Sequence, residues 1–286
     1  MEDLKRHLES FLNMSIIDSR PLSGGDTSSV YKLDTENKTS FILKCGPVKI
    51  SNEMFQAEVK GLHLIENTET IKTPKVYDSG VHNDISYILM EYVTSKSPTK
   101  ADFSRLGLQL ANLHKHSSAS FGLDYNNFIG RLKQQNNLTN SWIDFYGSQR
   151  LGIQFKLASN NGLLKDSEIP SSELIKSYLE TICQDIKPTL LHGDLWNGNF
   201  LIATDGTPYL IDPSVYFGHA EIDIAMSKLF GGFDISFYNA YHIQNPITAH
   251  YQKRLEIYQL YYLLVHLNMF GASYYSSVKR VLNKHF

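Results

Sequence analysis

Cysteine is scarce in this chain. Only Cys45 and Cys183 occur among 286 residues, far apart and in no CxxC or Cys/His spacing, which excludes a disulfide framework and a zinc site. Long apolar runs are missing too. No stretch of about eighteen apolar residues exists to cross a bilayer, and the charged opening Met1-Glu2-Asp3-Leu4-Lys5-Arg6-His7 leads into no apolar segment of a secretory signal. Nor does one sign of charge dominate: Lys and Arg number 27 against 29 Asp and Glu, a net charge of -2, so the basic footprint of a nucleic-acid binder is absent. Internal repeats and low-complexity tracts are absent as well. The expectation is a cytoplasmic protein with neither a nucleic-acid nor a membrane partner, and a monomer by default. What is plentiful is apolar mass. At 42% hydrophobic over this length, the chain can bury the core of one large domain or of two lobes.

The first third alternates like a sheet. Residues near 16–22, 28–34 and 39–45 are short β-branched or aromatic runs, separated by the turn formers Ser23-Gly24-Gly25-Asp26 and Glu36-Asn37-Lys38. A helical stretch at about 51–67 follows, then strand-like runs at 75–79 and 86–93. This predicts a five-stranded antiparallel lobe with one main helix over residues 1–93. Residues 94–98, polar and ending in Pro98, suit a hinge. From 99 to 286 the pattern is mostly helical, with Phe103, Leu106, Leu110 and Leu113 at helical spacing in 102–115 and further amphipathic stretches near 142–159, 172–186 and 250–270. A strand pair at about 199–203 and 207–212, turned at Asp205-Gly206, sits among these helices. The fold class is therefore α+β, in two lobes.

The chemistry concentrates in His192-Gly193-Asp194-Leu195-Trp196-Asn197-Gly198-Asn199 and, a strand later, Leu210-Ile211-Asp212-Pro213. The spacing of Asp194 and Asn199 matches the H-x-D-L-x-x-x-N loop of phosphotransferases, where the Asp orients an attacking hydroxyl and the Asn and a second Asp hold Mg²⁺ on nucleotide phosphates. Lys44 closes the apolar strand Phe41-Ile42-Leu43, where such enzymes place a phosphate lysine. Glu58 interrupts a helix face formed with Met54, Gly61, Leu62 and Ile65, and a buried carboxylate needs a partner. Its rival, Glu53, lies in the first turn, where the helix dipole alone suffices. Gly24 and Gly25 would let backbone N–H groups approach phosphates, and Glu91, Tyr92 and Val93 lie where main chain could bracket an adenine edge. Two alternatives stay open for Glu221 and Asp223, namely bracing the catalytic loop or simply opening a helix. His114 and His116 resemble a metal pair, but His114 continues an apolar helix face and is expected in the core. From Asp212 to Glu221 there is too little chain for a phosphorylatable activation loop, and no Asp-Phe-Gly or Ala-Pro-Glu occurs, so a small-molecule acceptor is expected.

Together with Asp212-Pro213-Ser214-Val215-Tyr216-Phe217-Gly218-His219-Ala220-Glu221-Ile222-Asp223, Phe121-Gly122-Leu123-Asp124-Tyr125-Asn126-Asn127 and the stretch 254–270, these motifs make nearly the whole chain resemble the fructosamine/ketosamine-3-kinase family. That family is related to aminoglycoside phosphotransferases within the protein-kinase-like fold. The resemblance implies ATP- and Mg²⁺-dependent phosphorylation of the 3-hydroxyl of a ketose joined to an amine, either a small molecule or a glycated protein lysine, in deglycation. By position it implies Asp194 as base, Asn199 and Asp212 as Mg²⁺ ligands, Lys44 braced by Glu58 on the phosphates, Glu91 and Val93 at adenine, and Trp196 as a sugar wall or a packing residue. The family often carries a Cys in its Gly-rich loop, and Asp26-Thr27-Ser28-Ser29 has none. Alternatives are a kinase of the same fold acting on an aminoglycoside, choline or a sugar, and a nucleotide-binding pseudokinase.

Overall fold

The alternating runs at the start of the chain become one sheet. In the computed structural model, which describes residues 2–22 and 28–286, β1 (Ile16–Leu22), β2 (Ser29–Thr35), β3 (Ser40–Pro47), β4 (Val76–His82) and β5 (Ile85–Glu91) pair antiparallel in the order β1-β2-β3-β5-β4. Strand β3 is interior, with Lys44 opposite Val30 on one side and Ile88 on the other. A one-residue slip would turn Lys44 to the other face and break two ladders at once. The following helix, α2 (Val48–Glu66), buries Phe55, Gly61, Leu62 and Ile65, so the stripe predicted around Glu58 does face inward.

Two features of this lobe depart from the sequence pattern. Strand β5 ends at Glu91, and Tyr92 and Val93 leave the ladder. A second helix, α1 (Glu2–Leu12), precedes the sheet and buries Leu4 and Leu8 against Leu33, Phe41, Leu43 and Tyr87. Each such leucine contributes roughly 2 kcal/mol. Charged residues on the remaining faces of α1 hide this narrow stripe from a scan for apolar mass.

The linker is tied down rather than loose. Lys96 N–H donates to Ile202 O at 2.9 Å, and Thr204 N–H to Thr94 O at 3.1 Å. Beyond it, α3 (Lys100–Leu113) starts at a reciprocal cap between Thr99 and Asp102, and a short hairpin forms from β6 (Asn127–Ile129) and β7 (Leu132–Gln134). The single helix expected near 142–159 is instead three pieces: α4 (Trp142–Asp144), a π-helical stretch Phe145–Gly152, and α5 (Ile153–Asn160). Arg150, fully buried, lies in the π segment and donates to Asn136 Oδ1 at 2.7 Å. Helix α6 (Ser172–Ile182) stops short of 186 because Asp185 turns to positive φ ahead of Pro188. The remaining elements are β8 (Thr189–Leu191), β9 (Phe200–Ile202), β10 (Pro208–Leu210), β11 (Tyr216–Gly218), α7 (Glu221–Leu229), α8 (Ile235–Gln244), α9 (Tyr251–Phe270) and α10 (Tyr275–His285). Strands β9 and β10 are the predicted pair. Tyr258, Tyr261 and Tyr262 of α9 are core aromatics, as their spacing suggests.

Candidate active site

The floor of the site begins where buried β8 delivers the chain into His192 and Gly193. Gly193 takes φ 83°, and a Cβ there would drive into Ser214 O, so only glycine fits. The two N–H groups of this turn donate to one carboxylate: His192 N to Asp223 Oδ2 and Gly193 N to Asp223 Oδ1, each at 2.8 Å. Asp223, in the first turn of α7, also accepts from His114 Nε2 at 3.1 Å, and His114 Nδ1 meets Tyr241 OH at 2.8 Å. From α9, Tyr262 OH donates to Gly193 O at 2.7 Å. The imidazole of His192 has a fixed tautomer. Asp194 N–H donates to its Nδ1 at 3.2 Å, so the proton sits on Nε2, which donates to Ile211 O at 2.9 Å. Burial lowers the His192 pKa against the opposing pull of Asp223, which keeps the ring neutral.

This framework presents Asp194. Asn199 Nδ2 donates to Asp194 O at 2.9 Å and to Asp194 Oδ2 at 3.1 Å, closing the loop on itself. Burial, reinforced by the charge of Asp212, raises the Asp194 pKa from 3.8 to about 7, the range suited to a base working near neutrality. Trp196 lies partly exposed beside it, its ring folded over Gly198.

The opposite wall is ionic. Lys44 Nζ contacts Glu58 Oε1 at 2.6 Å and also pairs with Asp212. Burial alone would pull the Lys44 pKa down, but the carboxylates of Asp212 and Glu58 more than reverse this, so Lys44 stays charged. Asp212 follows β10 with φ 54°, an uncommon conformation for a residue with a side chain. The oxygen donors of Asn199 and Asp212 have the chemistry of a Mg²⁺ site that relies on nucleotide phosphates for its other ligands. With the amide nitrogen of Asn199 engaged by Asp194, the Asn199 oxygen is the atom left for a cation.

Asp194 and Asn199 thus share one hydrogen-bonded loop, and Lys44, Glu58 and Asp212 share one ion cluster. Glu53 turns away to pair with Lys133 at 2.8 Å. Glu91 N–H is taken by Lys75 O at 2.8 Å, Val93 is buried, and Lys32 sits over the Tyr92 ring. Gly24 and Gly25 lie outside the described residues. The two possibilities for the α7 acids separate: Asp223 braces the loop, whereas Glu221 forms a bidentate pair with Arg254 at 2.7 Å. His114 is a satisfied core residue and His116 is exposed. Sequence reasoning missed Tyr262 and the buried amides Asn127 and Gln134, which hold the backbone next to the site. A tyrosine amid tyrosines and amides on two three-residue strands carry no periodic signal that would single them out.

A family model described as fructosamine kinase matches residues 1–286. The chain belongs to the fructosamine kinase family. Among curated relatives, a Lactiplantibacillus plantarum protein named "Probable ketoamine kinase" is 38% identical over 267 residues, covering 92% of each chain. The Arabidopsis thaliana "Protein-ribulosamine 3-kinase, chloroplastic" is 38% identical over 252 residues, 85% of this chain and 75% of that one. Among solved structures, a provisionally named fructosamine-3-kinase from Haemophilus somnus superposes with a TM-score of 0.89 at 27% identity, over 100% of this chain and 97% of the other. The fold is the wider kinase one: a Streptococcus pneumoniae choline kinase superposes with a TM-score of 0.65 at 18% identity, over 99% and 98% of the two chains. The two-lobed α+β fold expected from the sequence is the one this family has.

Proposed function

We propose that this protein is an ATP- and Mg²⁺-dependent ketosamine kinase that phosphorylates the 3-hydroxyl of a ketose attached to an amine, a small molecule or a protein lysine, in deglycation. Family membership and the names of the relatives support the reaction class. The observation that carries the site assignment is Asp194, a partly buried carboxylate with a pKa raised to about 7, set across from a Lys44–Glu58–Asp212 cluster. Residues 1–93 serve as the nucleotide lobe, 94–98 as the hinge and 99–286 as the catalytic and acceptor lobe. No described helix is long and apolar enough to cross a membrane. A monomer working in the cytoplasm, without nucleic acid, is the simplest setting.

Asp194 accepts the proton of the sugar hydroxyl as its oxygen bonds to the γ-phosphorus, and the bond from that phosphorus to the β,γ-bridging oxygen breaks to release ADP. Lys44, held by Glu58, meets the phosphates. Asn199 and Asp212 would hold Mg²⁺, which would neutralise phosphate charge when bound. Because its N–H is used by Lys75, Glu91 offers adenine its carbonyl, with Tyr92 and Val93 completing that edge. Gly24 and Gly25, which lie outside the described residues, are assigned to the phosphates by the sequence alone, and the half-exposed Trp196 ring walls the sugar. The carboxylate nearest in sequence to the acceptor side, Asp234, is engaged as the cap of α8, where it accepts from Ser236 N–H at 2.9 Å. That disfavours a polycationic aminoglycoside.

The test is ATP consumption with fructosyl-, ribulosyl- and erythrulosyl-lysine, the free sugars, an aminoglycoside and choline, with Asp194→Asn as blank. Turnover confined to ketosamines is expected. Turnover only on another acceptor sinks the substrate assignment, and none at all favours a non-catalytic nucleotide binder.

A further inference from the structure

The chain just after Asp212 is held to an unusual degree. Ser214 N–H donates to His192 O at 2.8 Å, and Ser214 Oγ to Phe128 O at 2.6 Å. Asn127 Nδ2 donates to Val215 O at 2.7 Å, and Gln134 Nε2 reaches Ser214 O at 3.4 Å. Pro213 and Val215 also abut Gly61 of α2, so closely that a Cβ on Gly61 would lie 3.2 Å from the Pro213 ring. The partners Phe128, Asn127 and Gln134 all belong to the β6–β7 hairpin.

That hairpin is itself anchored inward. Gln134 Nε2 and Asn136 Nδ2 both donate to Asn127 Oδ1, at 2.8 and 2.9 Å, and Tyr261 OH donates to Gln134 Oε1 at 2.6 Å. Behind Asn136 stands the fully buried Arg150, which also donates to Gln135 O at 2.6 Å and lies over the rings of Tyr216 and Phe145. Buried amide networks satisfied in this way fix one arrangement, because each broken member strands a buried polar group. Such fixing has a use at this place. Asp212 sits at positive φ, a conformation that persists only when its surroundings impose it.

We propose that the β6–β7 hairpin is a built-in clamp that holds Asp212 in its working conformation, with Gln134 and Asn127 as positioning residues. It supplies through permanent hydrogen bonds what switchable kinases obtain by phosphorylating an activation segment. The proposal rests on the assignment of Asp212 to the metal side of the site. Loosening the clamp lets Asp212 relax, so the defect should be in Mg²⁺-dependent nucleotide binding rather than in the fold as a whole.

The experiment uses the full chain, the variants Gln134→Ala and Ser214→Ala, and Leu282→Ala of α10 as a destabilised control. Calorimetric titration with AMP-PNP over a range of Mg²⁺ concentrations is compared with thermal melting and with amide exchange at residues 213–216 in the nucleotide-free protein. Gln134→Ala and Ser214→Ala should raise the Mg²⁺ needed for half-maximal affinity about fivefold, roughly the effect of one lost hydrogen bond, and speed exchange at 213–216. Leu282→Ala removes a buried side chain of α10, which packs on α9 away from the hairpin. It should lower the melting temperature yet keep the wild-type Mg²⁺ dependence. If Gln134→Ala does not fold, Ser214→Ala, a one-atom deletion, reads the same quantity. Unchanged Mg²⁺ dependence in the folded clamp variants, or an equal shift in Leu282→Ala, overturns the clamp. Wild-type protein that binds AMP-PNP with Mg²⁺ but turns over no ketosamine refutes the substrate assignment and leaves the clamp standing. Wild-type protein with no Mg²⁺-dependent binding removes both.

Discussion

The two walls of the cleft are built on opposite principles. Below, the His192–Asp194 turn is fixed through its backbone: Asp223 takes two N–H groups, Tyr262 covers a carbonyl, and His192 stitches the turn to Ile211. Above, Lys44, Glu58 and Asp212 come from three separate segments and hold one another through charge. A backbone-fixed turn holds its geometry without dependence on other ions, whereas members of a charge cluster can exchange one ionic partner for another. Under the function proposed above, the first would place Asp194 as the base and the second would hold phosphates.

Breaking the floor should have the largest effect. Gly193→Ala forces a side chain into Ser214 O at positive φ, and loss of about 3 kcal/mol or more of stability together with loss of turnover is expected from melting curves and assays. Breaking the upper wall should be milder for the fold and still severe for the reaction. In Lys44→Met, kcat/KM should fall by roughly two to three orders of magnitude, while His192 and Gly193 amides keep their slow exchange. A uniform loss of protection would show that the two walls are not independent.

Titration sharpens the contrast. Asp194 must be ionised to accept a proton, so kcat/KM should rise with pH through about 7. The stability sign is the reverse. With the folded-state pKa raised from 3.8 to about 7, the contribution of Asp194 is full below pH 3.8 and is lost as pH climbs through 7. Asp194→Asn should therefore be more stable than wild type at pH 8, by about 1–3 kcal/mol, with the gap closing at pH 4.5. A gap independent of pH would remove the burial argument. The smallest effect is expected at the exposed Glu53–Lys133 pair, where Lys133→Ala should change stability by less than about 1 kcal/mol.

The elements that carry the candidate residues were legible in the sequence. Asp194, Asn199 and Asp212 lie on one loop and the strand pair behind it, and Lys44 and Glu58 lie on a strand and the next helix, so motif spacing and local pattern located them, while their roles belong to the proposed function. The supports were not legible, because they act across long separations. Asp223 was one of two equivalent acids until its partners were seen. Tyr262 and Gln134 are single polar atoms aimed at backbone from elements that sequence pattern describes only as core helix or loop. The same limit explains α1, whose two buried leucines make sense only against the sheet, and the π-helical stretch around Arg150, which spans only Phe145–Gly152 inside a longer helical run, too few residues for a distinct period to register.

The hydrogen bond from Tyr262 to Gly193 also bears on how the enzyme comes into being on the ribosome. Lys44 and Glu58 can meet once the sheet and its helix have been made, but Asp212 is encoded far downstream, and the tyrosine that fastens the His192–Gly193 turn lies further on, in the helix Tyr251–Phe270. At a synthesis speed of about 5–20 residues per second, the sheet waits on the order of ten seconds or more for that tyrosine. A nascent chain can therefore carry a finished sheet while the turn that bears Asp194 is still unfastened.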